Sequence, residues 1–299
     1  MNTKKIIQKL ITFGITIVIL VGCSKDRLER DSYSSMDAFH NKYQQQEQDY
    51  QIDSGGTGCP NVICKYGTKI CIGADIFLNP NSTPVYYPFH IRVIEIYPVK
   101  DIILNKVPNV AGGIILESAA EIRVRALKNN QELILKPSMK YYMELDTMNN
   151  PSNYTQVYDS LYNANYIDWT LDGVSTVGAN QYFDTLLVGK MGWIDCAKVH
   201  ASGSKTAITI VPPNGVSGTQ FIDVYIVFNN FKKSVMQVYN LTSGQVPIGE
   251  SVTIIAMAMN QNNDYVYDKQ TVTVTAGQQI NLNMQVISEQ DLLTTLEGL

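Results

Sequence analysis

The chain has 299 residues, a formal net charge of −4 at pH 7, and 17% charged against 45% hydrophobic residues. That balance suits a packed globular protein with room for two domains of ordinary size. The acidic excess argues against nucleic acid as a partner.

Residues 1–22 carry Lys4, Lys5 and Lys9 ahead of an apolar run from Leu10 to Val21, with no acidic residue before Cys23. This is the form of a secretory signal. Its apolar core, about a dozen residues, is shorter than the roughly 20 that a transmembrane helix needs. The ending Leu20-Val21-Gly22-Cys23 is similar to a bacterial lipobox, which implies that Cys23 takes a diacylglycerol and becomes the acylated N-terminus. Several acyl chains hold a protein on a bilayer, because each buried methylene contributes about 0.8 kcal/mol. Ser24 in place of an aspartate favours the outer over the inner membrane, and the Lys25-Asp26 pair resembles a surface-export signal whose acidic run Arg27 interrupts. The expected location is therefore the outer membrane, with the cell surface favoured over the periplasmic face.

Residues 23–49 read as a polar tether, with Ser32, Ser34, Ser35 and Gln44 to Gln46; helical spacing of Met36, Phe39 and Tyr43 leaves a weak amphipathic helix open. Residues 50–146 change to short β-branched runs between turn residues, the pattern of an antiparallel β domain. In His90–Tyr97, Ile91, Val93 and the stem of Glu95 share one face, and Arg92, Ile94 and Ile96 the other, as in an inner strand. Residues 147–200 form an irregular connecting segment. Tyr154 to Tyr162 fit a helix, yet the tyrosines, Val157 and Trp169, with Asn163 and Asn165 to turn on, favour a hairpin of Gln156–Asp159 and Tyr166–Leu171. Residues 201–287 carry about six short alternating strands, the size of an immunoglobulin-like sandwich. Residues 288–299 read as a short amphipathic helix or a frayed tail. The expected fold is all-β: two β-sandwich (Ig-like or Greek-key) domains with an irregular middle.

Three stretches carry a resemblance. Gly67-Thr68-Lys69-Ile70-Cys71-Ile72, the run from Ile94 through Leu116-Glu117-Ser118-Ala119-Ala120-Glu121-Ile122, and Met191-Gly192-Trp193-Ile194-Asp195-Cys196 stand in this order along the chain. Together they resemble a family of lipoproteins widespread in Bacteroidetes bacteria, with GTKIxIPANAF-like, ESAGxxEI-like and LGWINCD-like motifs. The resemblance implies β-sandwich architecture, a turn at the second motif and an envelope location; it brings no agreed activity. Gly73 replaces the family's proline, Asp195 its asparagine, and Ala197-Lys198 an Asp-Arg pair, so any contact made by that pair is missing here.

The chemistry-bearing residues are few. His40, His90 and His200 lie far apart in sequence, no two at metal spacing, and no HExxH, GxSxG or phosphate-binding glycine loop is present. His200 with Asp195 or Asp184 is the one grouping that suits a hydrolase. Cys59, Cys64, Cys71 and Cys196 form an even set that export would oxidise. Of three pairings, Cys59 with Cys64 closes a small loop and leaves Cys71 with Cys196; simple buried thiols are the next reading, and a four-cysteine zinc site is disfavoured by the C-x₄-C-x₆-C spacing. Trp169, Trp193 and the 18 tyrosines offer stacking faces to a glycan, though core packing is the plainer reading. Asp168, Asp172 and Asn263-Asp264 lack an EF-hand pattern. The expected function is a non-enzymatic binding or accessory subunit of a cell-envelope complex, without metal or cofactor, with Trp169, Trp193, Asp195 and His200 as candidate contacts. The alternatives are a glycan-binding surface lipoprotein and an envelope hydrolase.

Overall fold

The computed structural model describes residues 33–55, 58–145, 156–163, 166–172, 176–177, 185–200, 203–213, 221–231 and 233–299; residues 1–32, Cys23 among them, and Asp184 lie outside them. Strands occupy 48% of the structure and helices 11%, and nearly all strand pairs are antiparallel, so the chain is all-β. No helix among the described residues is long and apolar enough to cross a membrane.

In chain order the elements that matter begin with α1 (Asp37–Tyr43), β1 (Gln48–Ile52), β2 (Val62–Ile63), β3 (Lys69–Cys71), β4 (Phe89–Ile96) and α2 (Val99–Leu104). They continue with β5 (Ile114–Lys128), β6 (Tyr141–Glu144), β7 (Gln156–Asn163), β8 (Tyr166–Leu171), β9 (Thr185–Val188) and β10 (Gly192–Val199). The C-terminal part holds β11 (Asp223–Phe228), β12 (Val235–Val238), β13 (Ser251–Asn260), β14 (Tyr265–Thr273), β15 (Gln285–Ile287) and α3 (Glu289–Glu297). A central sheet runs β8-β7-β10-β5-β4-β1, a cover sheet runs Thr176–Val177-β9-β6-β3-β2, and a C-terminal sheet runs β12-β11-β13-β14-β15.

Side-chain alternation decides what each face of the central sheet meets. Ile91 and Val93 of β4, Ile122 and Val124 of β5, and Ile194 and Cys196 of β10 share a core with Ile70, Tyr141, Met143 and Val188 of the cover sheet. Glu95 also points inward at 1% exposure, where it accepts from Gln48 Nε2 at 2.8 Å and from the backbone N–H groups of Tyr66 and Thr68 at 2.9 and 3.0 Å. The opposite face is apolar too. Ile94, Ile96, Leu116 and Trp193 pack against Tyr225 and Val227 of β11 and Ile255 and Met257 of β13. The other side of the C-terminal sheet has its own core, closed by the parallel pair Thr209–Val211 and Gln279–Asn281.

Two regions differ from the sequence expectation, and a third settles between its alternatives. The hairpin β7–β8 forms, with Tyr162 opposite Ile167, and the described residues of 147–200 are strands of the two sheets, β7, β8 and β10 in the central sheet and β9 in the cover sheet; Tyr154, where the helix reading began, lies outside the described residues. In β10, Trp193 and Ile194 enter the two opposite cores, so it is an inner strand. Residues 33–49 are no tether. Tyr33–Ser34 pairs with the end of β13, and α1 buries Met36 and Phe39 between the two halves of the molecule. His40, 3% exposed, places Nε2 2.7 Å from Asp223 Oδ2 and Nδ1 3.1 Å from the Leu104 carbonyl, tying α1 to α2 and β11. Polar composition hid this because only one turn-face of α1 is apolar. Of the two readings of residues 288–299 the helix holds and the frayed tail does not: the Ser288 hydroxyl caps α3 by accepting from Asp291 N–H at 3.1 Å, and Leu292 and Leu296 enter the shared core.

The strap of residues 33–47 is thus part of the interface, and a fully buried phenylalanine there is worth about 3 kcal/mol or more against alanine. Phe39→Ala is expected to lower the free energy of unfolding in urea by about that amount. Lys42→Ala, which removes the surface pair with Glu289 and an exposed contact with the Tyr43 ring, is expected to leave the midpoint nearly where it is. Equal effects of the two substitutions would contradict this packing.

Candidate functional site

The motif Gly192–Cys196 lies on β10, which pairs with β5 so that Trp193 faces Arg123, Ile194 faces Ile122 and Asp195 faces Glu121. The register then slips: Cys196 pairs with Ala120 but Ala197 with Ser118, leaving Ala119 as an extra residue in β5. Strict alternation would put Ser118 and Glu121 on opposite faces. The bulge returns Ser118 to the face that carries Glu121 and Asp195. The turn expected at residues 116–122 is therefore a bulge inside one 15-residue strand.

These three side chains form a buried polar seam under the C-terminal sheet. Ser118 Oγ donates to Asp195 Oδ2 at 2.7 Å and accepts from Asn109 Nδ2 at 2.7 Å; the same amide donates to Glu121 Oε1. Asn109 also pairs with β12, donating its backbone N–H to the Val235 carbonyl at 2.8 Å and accepting Val235 N–H on Oδ1 at 3.0 Å. Lys233, held at φ +53°, donates Nζ to the Ala119 carbonyl at 2.9 Å and lies 5.2 Å from the centre of the Tyr97 ring. Among the described residues, Glu121 Oε2 and Asp195 Oδ1 have no hydrogen-bond partner. Burial pushes both carboxyls up. Asp195 raises Glu121 further while Asn109 and Lys233 oppose the rise; Asp195 itself reaches about 7 against the pull of Ser118 and Lys233.

Two residues further along β5 the same face opens to solvent. Arg123 and Arg125 emerge there, and Arg92 of β4 stands opposite Arg125. Arg125 donates to Glu47 at 2.9 Å and to Glu132 at 2.5 Å, and Arg92 donates to Asp49 at 3.2 Å. Arg123 differs: among the described residues it makes no hydrogen bond, and its ion pair, with Glu47, spans 3.7 Å. A cleft of about 250 Å³ lies beside it, lined by Arg123, Arg125, Glu132, Met191, Gly192 and Trp193. Gly192 opens β10 at φ +101°, a conformation suited to glycine, and leaves the wall without a side chain.

The structure scatters the other candidates. His200 stacks on Phe231, with ring centres 3.6 Å apart, and no hydrogen bond joins it to Asp195. Trp169 is 2% exposed and donates Nε1–H to the Pro108 carbonyl at 2.8 Å; Trp193 is 6% exposed, so neither presents a free stacking face. Asp168 accepts from the N–H groups of Gly112 and Trp169, and Asp264 is tied into the β13–β14 turn by Asn260. His90 pairs with Asp49 at 2.8 Å. Among the described residues no cluster of three or more His, Cys, Asp or Glu side chains could hold a metal.

The cysteine pairing is corrected. Cys59 bonds Cys71, because the antiparallel β2–β3 pair folds the chain back and brings their Cα atoms to 5.2 Å. Cys64 and Cys196 are free and buried in the core of the cover sheet, where burial pushes the Cys64 thiol up to about 12 and raises Cys196 as well. Arg123 and Arg125 escaped the sequence reading and Arg92 was placed only as a strand residue, although their positions at even spacing on neighbouring strands carried the signal. Ser118 and Glu121 lay inside a quoted motif, whereas nothing in the sequence marked Asn109 or Lys233. Comparison with family models, curated proteins and solved structures finds no match to the chain.

Two outcomes follow from this geometry. Non-reducing peptide mapping is expected to recover Cys59 linked to Cys71, with Cys64 and Cys196 alkylated only after unfolding; a Cys71–Cys196 peptide would refute the pairing. Loss of the bond through Cys59→Ser is expected to cost about 3 kcal/mol. The raised carboxyls bind protons more tightly folded than unfolded, so their contribution is full below the ordinary carboxylate range and is lost as pH rises through about 7. The urea midpoint is expected to fall between pH 5 and pH 8, and Asp195→Asn to flatten that fall and to exceed wild type at pH 8. An unchanged slope would show that the pair is not protonated.

Proposed function

We propose that the chain is a non-catalytic outer-membrane lipoprotein, anchored through Cys23, that serves as a binding or accessory subunit of a cell-envelope complex. Its recognition site is the cleft beside Arg123. The membrane part of this reading rests on Lys4, Lys5, Lys9, the apolar run to Val21 and the Val21-Gly22-Cys23 ending. Ser24 and Lys25-Asp26 favour the surface-facing side.

The binding part rests on a contrast along one strand pair. The carboxyls of Glu121 and Asp195 are 1% and 0% exposed, so no substrate reaches them, while the guanidinium two residues away lines an open cleft. A general acid or base must come within hydrogen-bond reach of the atom it serves. A sealed pair under a packed sheet does not meet that condition, whereas a cleft that holds a guanidinium with no hydrogen bond among the described residues, beside a small apolar patch, suits recognition. The buried tryptophans weigh against the glycan reading in its stacking form.

The test uses the lipidated protein in its own envelope. Cys23→Ser is expected to abolish incorporation of labelled palmitate and to move the protein out of the membrane fraction. Arg123→Gln is expected to stay membrane-bound and to lose the envelope protein that co-purifies with wild type in mild detergent. Asp195→Asn is expected to keep it. Loss with Asp195→Asn and retention with Arg123→Gln would point to the opposite end of the strand pair and overturn the assignment of the cleft.

A further inference from the structure

Resting on the cleft as a recognition site, we infer that its ligand is a carboxylate attached to an apolar group the size of one side chain, as at the C-terminus of a peptide. Three features select this chemistry. The first is the charge balance on the outer face of the central sheet. Arg92 and Arg125 are hydrogen-bonded to Asp49, Glu47 and Glu132, whereas Arg123 makes no hydrogen bond among the described residues and keeps its fork of donors for a bound group. A guanidinium takes a planar carboxylate through two parallel N–H···O bonds.

The second feature is the sign of what surrounds that fork. Glu132 lines the cleft and Glu47 lies 3.7 Å from Arg123, so a dianion such as phosphate meets two carboxylates against one uncommitted cation. A monoanion avoids most of that repulsion. The third is the wall. Met191 and the edge of the 6%-exposed Trp193 supply a small apolar patch among the charged groups, against which one aliphatic group would be desolvated favourably. A volume of about 250 Å³ lies just below the roughly 300–1,000 Å³ that encloses drug-sized ligands, which limits the occupant to about one residue.

The experiment is calorimetric titration of the intact protein in detergent at pH 7 with N-acetyl-L-leucine, acetate, glucuronate and inorganic phosphate. N-acetyl-L-leucine is expected to bind at least about tenfold more tightly than acetate and more tightly than glucuronate or phosphate. Arg123→Lys, which keeps the charge and removes the fork, is expected to weaken it about tenfold, and Arg123→Gln to abolish it. Arg92→Gln, on the same face but outside the cleft, is expected to leave it unchanged. Thermal unfolding of each variant reports whether the fold is retained, and Arg123→Lys preserves the test if Arg123→Gln does not fold. Tighter binding of glucuronate or phosphate, lost with Arg123→Gln, would overturn the ligand class and leave the cleft standing as a site. Binding of N-acetyl-L-leucine that neither Arg123 variant alters would overturn the inference. No binding by any of the four would overturn the inference and the reading of the cleft together.

Discussion

The central sheet is covered on both faces, and the rest of the molecule follows from that constraint. One face shares a core with the cover sheet, and the other shares a core with the C-terminal sheet, α1, α2 and α3. A strand in that position must be apolar on both sides, or must neutralise and satisfy what is not. Strands β4, β5 and β10 do so along most of their length. Where the C-terminal sheet ends, β5 turns from Glu121 to Arg123 and Arg125 on the same face, and the chemistry changes from buried carboxyls to solvated guanidinium groups.

The same constraint explains why a polar seam survives inside an apolar interface. Asn109 hydrogen-bonds β12 through its backbone and its side chain while its amide reaches Ser118 and Glu121, so it fixes how the two halves sit on each other. Apolar contacts alone would tolerate sliding, whereas a hydrogen-bonded seam specifies one register. The cost is two carboxyls out of water, each with one oxygen lacking a partner among the described residues, and burial shifts them toward the neutral form. Lys233 closes the seam at the bulged residue, which is why a lysine occupies a left-handed backbone position there.

Much of the strand pattern was legible from the sequence because alternation is a local property. The two apolar faces of β4 were visible in Ile91, Val93, Ile94 and Ile96, and tyrosines with turn asparagines pointed to the β7–β8 hairpin. Three things depended on contacts distant in sequence and were hidden. The bulge at Ala119 exists only relative to the register of β10, so Leu116–Ile122 read as a turn. The strap read as a tether because Met36 and Phe39 find their partners on α2, α3 and the C-terminal sheet, far along the chain. Nearness in sequence suggested the bond between Cys59 and Cys64, while strand pairing brought Cys71 to Cys59. At the candidate site, Asp195 and Trp193 were recognised as special, but the role each plays is set by what covers it.

The claim on which this account turns is that one face of β5 and β10 is sealed at Glu121 and Asp195 and open at Arg123. Carbodiimide labelling of carboxyl groups in the native protein, followed by peptide mass spectrometry, measures that directly. Glu132, which lines the cleft, and Glu47, whose side chain is 24% exposed, should be modified, with Glu121 and Asp195 protected until the protein unfolds. Modification of Glu121 and Asp195 in the folded protein at the rate of Glu132 would contradict the account.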